Sequence, residues 1–488
     1  MVGISRMMFL STVIADLGDS FIFVAPLACV PLLVAIIFSE WQMLLPMAAV
    51  PVLFLLLGSF TRTLPRYGYE KRLSTGMCSV ALFWLVCAAI SGIPFVISLN
   101  MSFTDALFEG MAGWTGTAFT MTEELGAVPS TLLFWRSYMQ WIGGIGIIAF
   151  SIAIASSTGL FSTRMLRSES REETLARAVI SAGRSLYGIY ALLTFISIGL
   201  ILFTGLSLWE SVNLALTTIS TGGFTLHPEG ILFYNSVMLE LILIPIMIAG
   251  ALPFKLYYLI ASNRRWSTFG DEQVKLFFLL LGAGAAVIAF DLVYFDSANI
   301  FSALWQGIFM SVSALTTTGL QVVNPSAWAG ATIFVLTMLV FIGGASGSAA
   351  GGVRLSRVAM AYRGLLWWFK RGFVSEKVLI PFRIEGKVIP RATAEFETAK
   401  NMLIIILSAV TVFGATLCIL QFHITSFAFT DVLFEAVSAF STCGMSTGYV
   451  SPEMPLISKW IFIVLMWIGR LEVIPVLMLF IAVFRGPD

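Results

Sequence analysis

Ten apolar stretches, each long enough to cross a membrane, recur from one end of this 488-residue chain to the other. A helix that spans a bilayer needs about 20 predominantly apolar residues. Charged residues make up only 11% of the chain, whereas soluble domains carry about 25%. The sequence therefore predicts an all-α membrane protein whose ten transmembrane helices lie near 20–39, 42–60, 77–99, 131–160, 185–206, 232–260, 274–294, 328–352, 400–421 and 456–484.

The connections between these stretches alternate in charge. Four of them, 100–130, 207–231, 295–327 and 422–455, contain no Lys or Arg, whereas the segment 354–400 alone holds ten basic residues. Cytoplasmic loops of membrane proteins carry the excess of Lys and Arg. We therefore expect a multi-pass protein of the cell (inner) membrane with both termini in the cytoplasm, and an even number of spans agrees with this.

Four Ser/Thr/Gly segments repeat within the connections that lack basic residues. They read GWTGTAF (113–119), TISTGGF (218–224), ALTTTGL (314–320) and AFSTCGM (439–445). Each follows a short amphipathic helix, at 103–114, 208–219, 300–315 and 427–440, and each precedes another long apolar stretch. A search for internal repeats resets the whole architecture of a fold prediction, and here it predicts four copies of one unit around a single-chain pore.

The predicted domains follow from this repeat. Each unit contains a long helix, a short re-entrant pore helix and a second long helix, and an added helical hairpin precedes the first unit. The cytoplasmic segment includes VLIPFRIEGKVIPR (378–391), which is typical of a β-hairpin. The boundaries are 1–61 for the hairpin, 74–162 for repeat 1, 185–262 for repeat 2, 274–353 for repeat 3, 354–399 for the cytoplasmic segment and 400–484 for repeat 4.

The repeated segments have the chemistry of a potassium filter. The short helices are too short to span, and their C-terminal ends, which carry a partial negative charge, favour a cation at mid-membrane. Rings of backbone carbonyls replace the hydration shell of K⁺, and glycine permits the unusual backbone angles that this requires. The predicted ion-binding residues are Thr115, Gly116, Thr117, Ala118, Ser220, Thr221, Gly222, Gly223, Thr316, Thr317, Thr318, Gly319, Ser441, Thr442, Cys443 and Gly444.

Two further features lie in the predicted second helices of repeats 3 and 4. The run 343–352 reads GGASGSAAGG, which fits either close helix packing or a broken helix with a flexible middle. Its candidate gate residues are Gly343, Gly344, Ser346, Gly347, Ser348, Gly351 and Gly352. Arg470 lies midway along 456–484, where a charge needs a wet cavity or a partner. It is either a structural residue bound to a distant carboxylate or carbonyl, or a charge barrier below the filter.

The motifs WRSYMQWIGGIGI (135–147), ISTGGFT (219–225), IGGASGSAAGGVRLSR (342–357) and WIGRLEVIPVLMLF (467–480) together resemble the Trk/Ktr/HKT superfamily of potassium transport proteins, closest to its TrkH branch. The resemblance implies a homodimer embedded in membrane lipid, K⁺ as the transported ion, and no organic cofactor. It also implies an intramembrane gating loop, a pore arginine, and a cytosolic ring of nucleotide-binding, Rossmann-type regulatory subunits similar to TrkA. Arg354 stands where the family commonly has Lys.

Several other functions are disfavoured or left open. We find no paired metal-ligand motif and no nucleophile elbow, the five cysteines include no CxxC pair, and the net charge of +1 gives no support for a nucleic-acid partner. An inverted-repeat secondary transporter would have halves of opposite topology, whereas these four units run in the same direction. Passive flux and coupled symport remain open.

Selectivity also remains open, because the first repeat has Ala118 where the other three have glycine. In the plant HKT branch of the resembled family, a serine in place of this first glycine accompanies sodium transport. The alternative is therefore a less selective K⁺/Na⁺ transporter. Glu109 and Glu435 occupy matching places in the first and fourth short helices. We expect them either to concentrate cations or to sit in a solvated outer vestibule.

Overall fold

The computed structural model describes residues 2–67, 73–122, 124–158, 169–263, 271–295, 297–373, 380–384, 387–422 and 426–486. These ranges are mostly helical, with one two-stranded sheet. The helices before repeat 1 are α1 (Val2–Leu27), α2 (Val30–Ile37) and α3 (Leu44–Arg62), and α1 packs along α3.

The first span differs from its prediction at 20–39. The helical segment begins near the N-terminus and, with a turn between α1 and α2, forms a candidate span over Arg6–Ile37. Asp16 and Asp19 interrupt the apolar run, which is why the sequence pattern placed the start too late. Both are paired with basic residues from the end of α3: Asp19 with Arg62, and Asp16 and Asp19 with Arg66 at 3.6 and 3.4 Å.

The remaining helices follow the predicted order of long, short and long elements. In repeats 1 and 2 they are α4 (Leu73–Leu99), α5 (Phe103–Thr115), α6 (Ser130–Thr158), α7 (Glu169–Leu202), α8 (Leu208–Ile219), α9 (Val237–Ala251) and α10 (Phe254–Asn263). In repeats 3 and 4 they are α11 (Glu272–Tyr294), α12 (Ile300–Leu315), α13 (Gly330–Ile342), α14 (Leu355–Gly372), α15 (Arg391–Phe422), α16 (Phe429–Phe440), α17 (Leu456–Leu471) and α18 (Val473–Phe484).

Three of the second long helices are broken. A 93° bend separates α9 from α10, a 111° bend separates α17 from α18, and a loop joins α13 to α14. The predicted span at 328–352 is helical only as far as Ile342, and Gly343 and Gly352 adopt left-handed φ angles of 70° and 80°, so of the two interpretations the broken helix agrees with the structure. Within the described ranges, six helices are long and apolar enough to cross a membrane, or up to eight if each bent pair is one span. The total of ten stays a prediction.

The four short helices, α5, α8, α12 and α16, form the centre of the molecule. The first three begin at an N-cap side chain: Ser102, Ser207 and Asn299 each accept a hydrogen bond from a backbone N–H of the first turn. Such caps satisfy donors that the helix itself cannot. Their C-terminal turns are buried, so each helix enters the protein from one side and ends inside it.

A small antiparallel sheet lies in the segment after α14. Its strands are β1 (Phe382–Ile384) and β2 (Lys387–Ile389), with Phe382 opposite Ile389. The turn expected at Glu385-Gly386 lies outside the described residues. The Trp367 side chain of α14 packs edge-on against Phe382 and donates a hydrogen bond to the Ile380 carbonyl at 3.0 Å, so the hairpin is held against α14.

Candidate functional site

The four Ser/Thr/Gly segments leave their short helices through the same backbone turn. Positions are counted here over the four residues 115–118, 220–223, 316–319 and 441–444. In each segment, the third residue donates its N–H to the carbonyl of the residue five positions earlier. The bonds are Thr117 to Ala112, Gly222 to Thr217, Thr318 to Ser313 and Cys443 to Ser438, at 2.7–3.0 Å. The second residue is left-handed in all four, with φ of 70° at Gly116, 54° at Thr221, 53° at Thr317 and 52° at Thr442. This is the Schellman ending of a helix, which normally uses glycine.

Threonine at three of these turns is the unexpected part. A β-branched residue at positive φ is a genuine outlier, and such strain costs about 1–3 kcal/mol and gathers at functional sites. Only the first segment has glycine there, at Gly116. The left-handed threonines were not predicted, because the unusual backbone angles were expected at glycines and threonine carries no signal for a left-handed turn.

At the fourth position, each glycine faces the backbone of a neighbouring segment. Gly223, Gly319 and Gly444 have φ of 74°, 83° and 80°. A Cβ added to Gly223 would overlap the carbonyl oxygen of Thr318, and one added to Gly319 would overlap the carbonyl oxygen of Cys443. A Cβ added to Gly444 would overlap the backbone nitrogen of Ala118, so each contact is with the next segment. Segment 2 therefore contacts segment 3, segment 3 contacts segment 4, and segment 4 contacts segment 1. Gly116 approaches Gly222, so segment 1 also contacts segment 2 and the four segments form a closed ring.

Ala118 departs from the other three residues of this ring. Its φ is not left-handed, and its N–H donates to the Cys443 carbonyl at 3.3 Å. Its methyl group lies 2.7–3.0 Å from the positions where Cβ atoms of Gly223, Gly319 and Gly444 would stand. The methyl group therefore projects among the three glycines rather than away from them.

The ring forms the floor of an open cavity of about 450 Å³. All four fourth-position residues line it, together with Arg136, Gln321 and the loops that follow the four segments. Within segment 4, the Ser441 Oγ and Thr442 Oγ1 atoms are buried and have no hydrogen-bond partner among the described residues. Such unpartnered oxygens are unusual, and they suit a cation that has lost part of its water shell.

Close contacts hold the second long helices against the short ones. Gly143, Gly250 and Gly469 each lie against the carbonyl of the residue just before a segment, at Trp114, Ile219 and Phe440. A side chain at any of these glycines would overlap that carbonyl. The same contact therefore positions three of the four segments.

Glu109 and Glu435 are not solvated, so that expectation is wrong. Both are completely buried. Glu109 pairs with Arg136 at 2.6 Å and accepts the Met121 N–H at 2.8 Å. The carboxylate of Glu435 accepts the Ser446 hydroxyl at 2.6 Å and three N–H groups between Thr447 and Tyr449. Both acids instead brace the chain as it leaves a segment, because buried carboxylates need several donors.

The predicted gate residues lie in a loop directly beneath the ring. Between Ile342 and Leu355 the chain is non-helical, and Ala345, Ala349 and Ala350 are buried. The Gly351 N–H donates to Thr317 Oγ1 at 2.9 Å. A Cβ on Gly351 would overlap the carbonyl oxygen of Ser441. The loop therefore touches segments 3 and 4, and the alternative of close helix packing does not hold.

Arg470 is buried and binds two carbonyl groups. Its guanidinium donates to Ala349 of the loop at 2.9 Å and to Gly143 of α6 at 3.0 Å. Nη1 lies 3.9 Å from the position of a Cβ on Gly116. Glu472 is paired instead with Arg357 and, at 3.3 Å, with Arg354. Arg470 therefore lies on the side of the ring that faces the loop, in contact with the loop.

The chain matches the TrkH family model, described as a cation transport protein, over residues 48–485. This chain belongs to the TrkH family. It is 30% identical to an uncharacterized cation transporter of Methanocaldococcus jannaschii, over 93% of this chain and 92% of that protein. It is 26% identical to the Trk system potassium uptake protein TrkH of Halomonas elongata, over 93% and 95%.

The fold agrees with this family. The crystal structure of the potassium transporter TrkH from Vibrio parahaemolyticus superposes with a TM-score of 0.83, at 22% identity, over 96% of this chain and 98% of that one. Members of the Trk family are ion transporters rather than enzymes. Family membership and the apolar helices together identify a membrane protein.

Proposed function

We propose that this chain is the pore subunit of a Trk-type potassium uptake system. K⁺ would enter the outer cavity, lose water in the ring formed by residues 115–118, 220–223, 316–319 and 441–444, and leave past the intramembrane loop. The observation that supports this most is the ring itself, in which four segments with the same helix ending meet at the floor of one cavity. Carbonyl and hydroxyl oxygens in such a ring replace the hydration shell of the ion.

The loop and Arg470 would control passage below the ring. The loop lies across the inner side of segments 3 and 4, and Arg470 ties it to α6 through two carbonyl groups. A fixed positive charge at this depth opposes a second cation. The proposed gate therefore comprises Gly343, Gly344, Ser346, Gly347, Ser348, Gly351, Gly352 and Arg470.

The proposed assembly is a homodimer that binds a nucleotide-binding regulatory subunit resembling TrkA on its cytoplasmic side. Both termini would face the cytoplasm, together with α14 and the β-hairpin. The basic residues of 354–400 support this orientation. Ala118 supports the second candidate, a less selective K⁺/Na⁺ transporter of the same superfamily, because it breaks the glycine pattern of the ring.

Two glycines with nearly equal backbone angles provide a test. Gly319 has φ 83° and faces Cys443, whereas Gly205 has φ 87° and no atom within 4 Å of its Cβ position. In a bacterial strain that lacks potassium uptake, the wild-type chain with its regulatory partner should restore growth at low potassium. Gly319→Ala should abolish this growth, since the added methyl displaces a segment. Gly205→Ala adds similar backbone strain outside the ring and should retain growth.

Equal growth with both alanine variants, at equal membrane levels, would contradict a functional ring. Growth restored by neither the wild-type chain nor Gly205→Ala would contradict potassium uptake itself.

A further inference from the structure

Gln140 connects two neighbouring segments of the ring through one side-chain amide. It lies on α6, which packs against both α5 and α8, and it is completely buried. Its Nε2 donates to the Gly222 carbonyl at 2.8 Å and to the Thr117 carbonyl at 3.3 Å. Its Oε1 accepts the Phe224 N–H at 3.1 Å. Because a backbone N–H can only donate, Phe224 fixes which end of the amide faces the two carbonyls.

The third residue of segment 2 is shaped around this amide. A Cβ on Gly222 would overlap the Gln140 side chain. The same position holds Thr117, Thr318 and Cys443 in the other segments, and Gly222 itself is not left-handed. Glycine is therefore required here for the approach of Gln140 and not for a backbone angle.

The third-position carbonyls consequently divide into two pairs. Those of Thr117 and Gly222 bind Gln140 on α6. Those of Thr318 and Cys443 lie instead against Gly223 and Gly319, the fourth residues of neighbouring segments. One glutamine thus sets both the direction of two carbonyls and the spacing between segments 1 and 2.

Repeats 2 and 4 have an apolar residue at the helix position that corresponds to Gln140. Gln140 lies three residues before Gly143, and the corresponding residues before Gly250 and Gly469 are Met247 and Met466. Both methionines are buried. An apolar side chain of similar length therefore fits this place in repeats 2 and 4, whereas in repeat 1 the side chain binds carbonyl groups.

We propose that Gln140 is a positioning residue for ion discrimination, which holds segments 1 and 2 at the spacing that favours K⁺ over smaller cations. The inference rests on the proposed function, since it assigns the specificity of that same ring. Discrimination depends on the number and geometry of the coordinating oxygens. A brace that binds one carbonyl in each of two segments fixes that geometry without touching the ion.

The test uses three variants of the full chain in proteoliposomes, with flux of K⁺, Na⁺ and Li⁺ measured separately. Gln140→Met gives repeat 1 the residue type of repeats 2 and 4 and removes all three hydrogen bonds. Gln140→Glu keeps an acceptor for Phe224 but removes the donors to both carbonyls. Gln306→Met is the matched control, because the same substitution there removes a hydrogen bond of 3.2 Å to Ser302 within α12, outside the four segments and the cavity lining.

Both Gln140 variants should keep K⁺ flux while the K⁺/Na⁺ and K⁺/Li⁺ flux ratios fall about fivefold, which corresponds to about 1 kcal/mol, the net value of one hydrogen bond. Gln306→Met should change the ratios less than about twofold, because its hydrogen bond lies outside the ring. Unchanged or higher ratios in the Gln140 variant that folds as wild type, or an equal fall in Gln306→Met, would overturn the proposal. Absence of K⁺ flux through the wild-type chain would instead overturn the proposed function, and a wild type that discriminates among none of these ions would overturn both.

Discussion

At the scale of single residues, the first segment has glycine at its second position and alanine at its fourth, whereas the other three have threonine and glycine there. Gly116 takes the left-handed second position, where the other segments strain a threonine. Ala118 takes the fourth position, where the others have left-handed glycine, and it keeps an ordinary φ by binding the Cys443 carbonyl. Segment 1 therefore joins the ring in a different conformation from segments 2, 3 and 4.

Ala118→Gly should increase the K⁺/Na⁺ flux ratio. Glycine removes the methyl group from among Gly223, Gly319 and Gly444 and allows the left-handed backbone that they share. We expect a rise of at least about threefold, which corresponds to about 0.7 kcal/mol. Ala127→Gly, on the exposed 3₁₀ turn after segment 1, is the control. Equal ratios for Ala118→Gly and wild type would exclude Ala118 as a determinant of selectivity.

Arg470→Ala should raise cation flux measured without a regulatory subunit. The substitution removes the charge beneath the ring and both bonds that hold the loop to α6. Arg470→Lys keeps the charge but cannot reproduce the planar fork of donors, so its flux should lie between wild type and alanine. An unchanged or lower flux from correctly folded Arg470→Ala would argue for a purely structural arginine.

At the scale of elements, the loop between α13 and α14 is joined to the ring by one hydrogen bond. Thr317 Oγ1 accepts the Gly351 N–H, whereas Thr221, at the same position of segment 2, donates its hydroxyl to its own neighbour Ser220. Both threonines have φ near 53°. The two residues thus differ in their contact with the loop and little in their backbone.

Thr317→Val should therefore raise flux in the absence of a regulatory subunit, by about fivefold relative to Thr221→Val, since one hydrogen bond to the loop is lost. Proteoliposome flux with both variants at equal protein content provides the measurement. If the two valine variants leak to the same extent, the bond between the loop and segment 3 does not control passage.

The β-hairpin is the surface that we propose for binding the regulatory subunit. Trp367 anchors its first strand to α14, while Arg383 and Val388 are exposed. Replacing residues 382–389 with a Gly/Ser linker should abolish co-purification with a TrkA-like subunit and leave the chain monodisperse in detergent. Retention of the partner by this variant would place the binding surface elsewhere.

At the scale of the whole molecule, composition and repeats predicted much of the architecture. The order of long and short helices follows from hydropathy, from the four connections without Lys and Arg, and from four similar segments, whereas the family was indicated by the resemblance of four motifs. The small-residue run 343–352 offered a broken helix as one of two interpretations, whereas the breaks at Leu252 and Glu472 were not located, because each lies within a stretch whose mean hydropathy is that of a span. Glu472 at φ 68° is held by Arg354 and Arg357, which are distant in sequence.

The site was predicted less completely than the fold. The sixteen residues of the four segments could be singled out because they repeat, and their role as a filter stays a prediction. The strained threonines, the bracing acids and Gln140 depend on contacts between the segments and helices. Gln140 lies within a motif that indicated the family, yet nothing in that motif shows that its amide binds Gly222 and Thr117. Only the packing of α6 between α5 and α8 brings these groups together.

The central claim is that four segments of one chain form a cation filter, and flux through the purified chain in liposomes tests it most directly. Uptake of potassium, rubidium, sodium and lithium should be compared with and without the regulatory subunit, with Gly319→Ala as the disrupted filter. We predict that potassium and rubidium enter fastest, that lithium enters slowest, and that the regulatory subunit changes the rate while keeping this order. Uptake no faster than in protein-free liposomes, or uptake that Gly319→Ala leaves intact, would contradict a filter built from these segments.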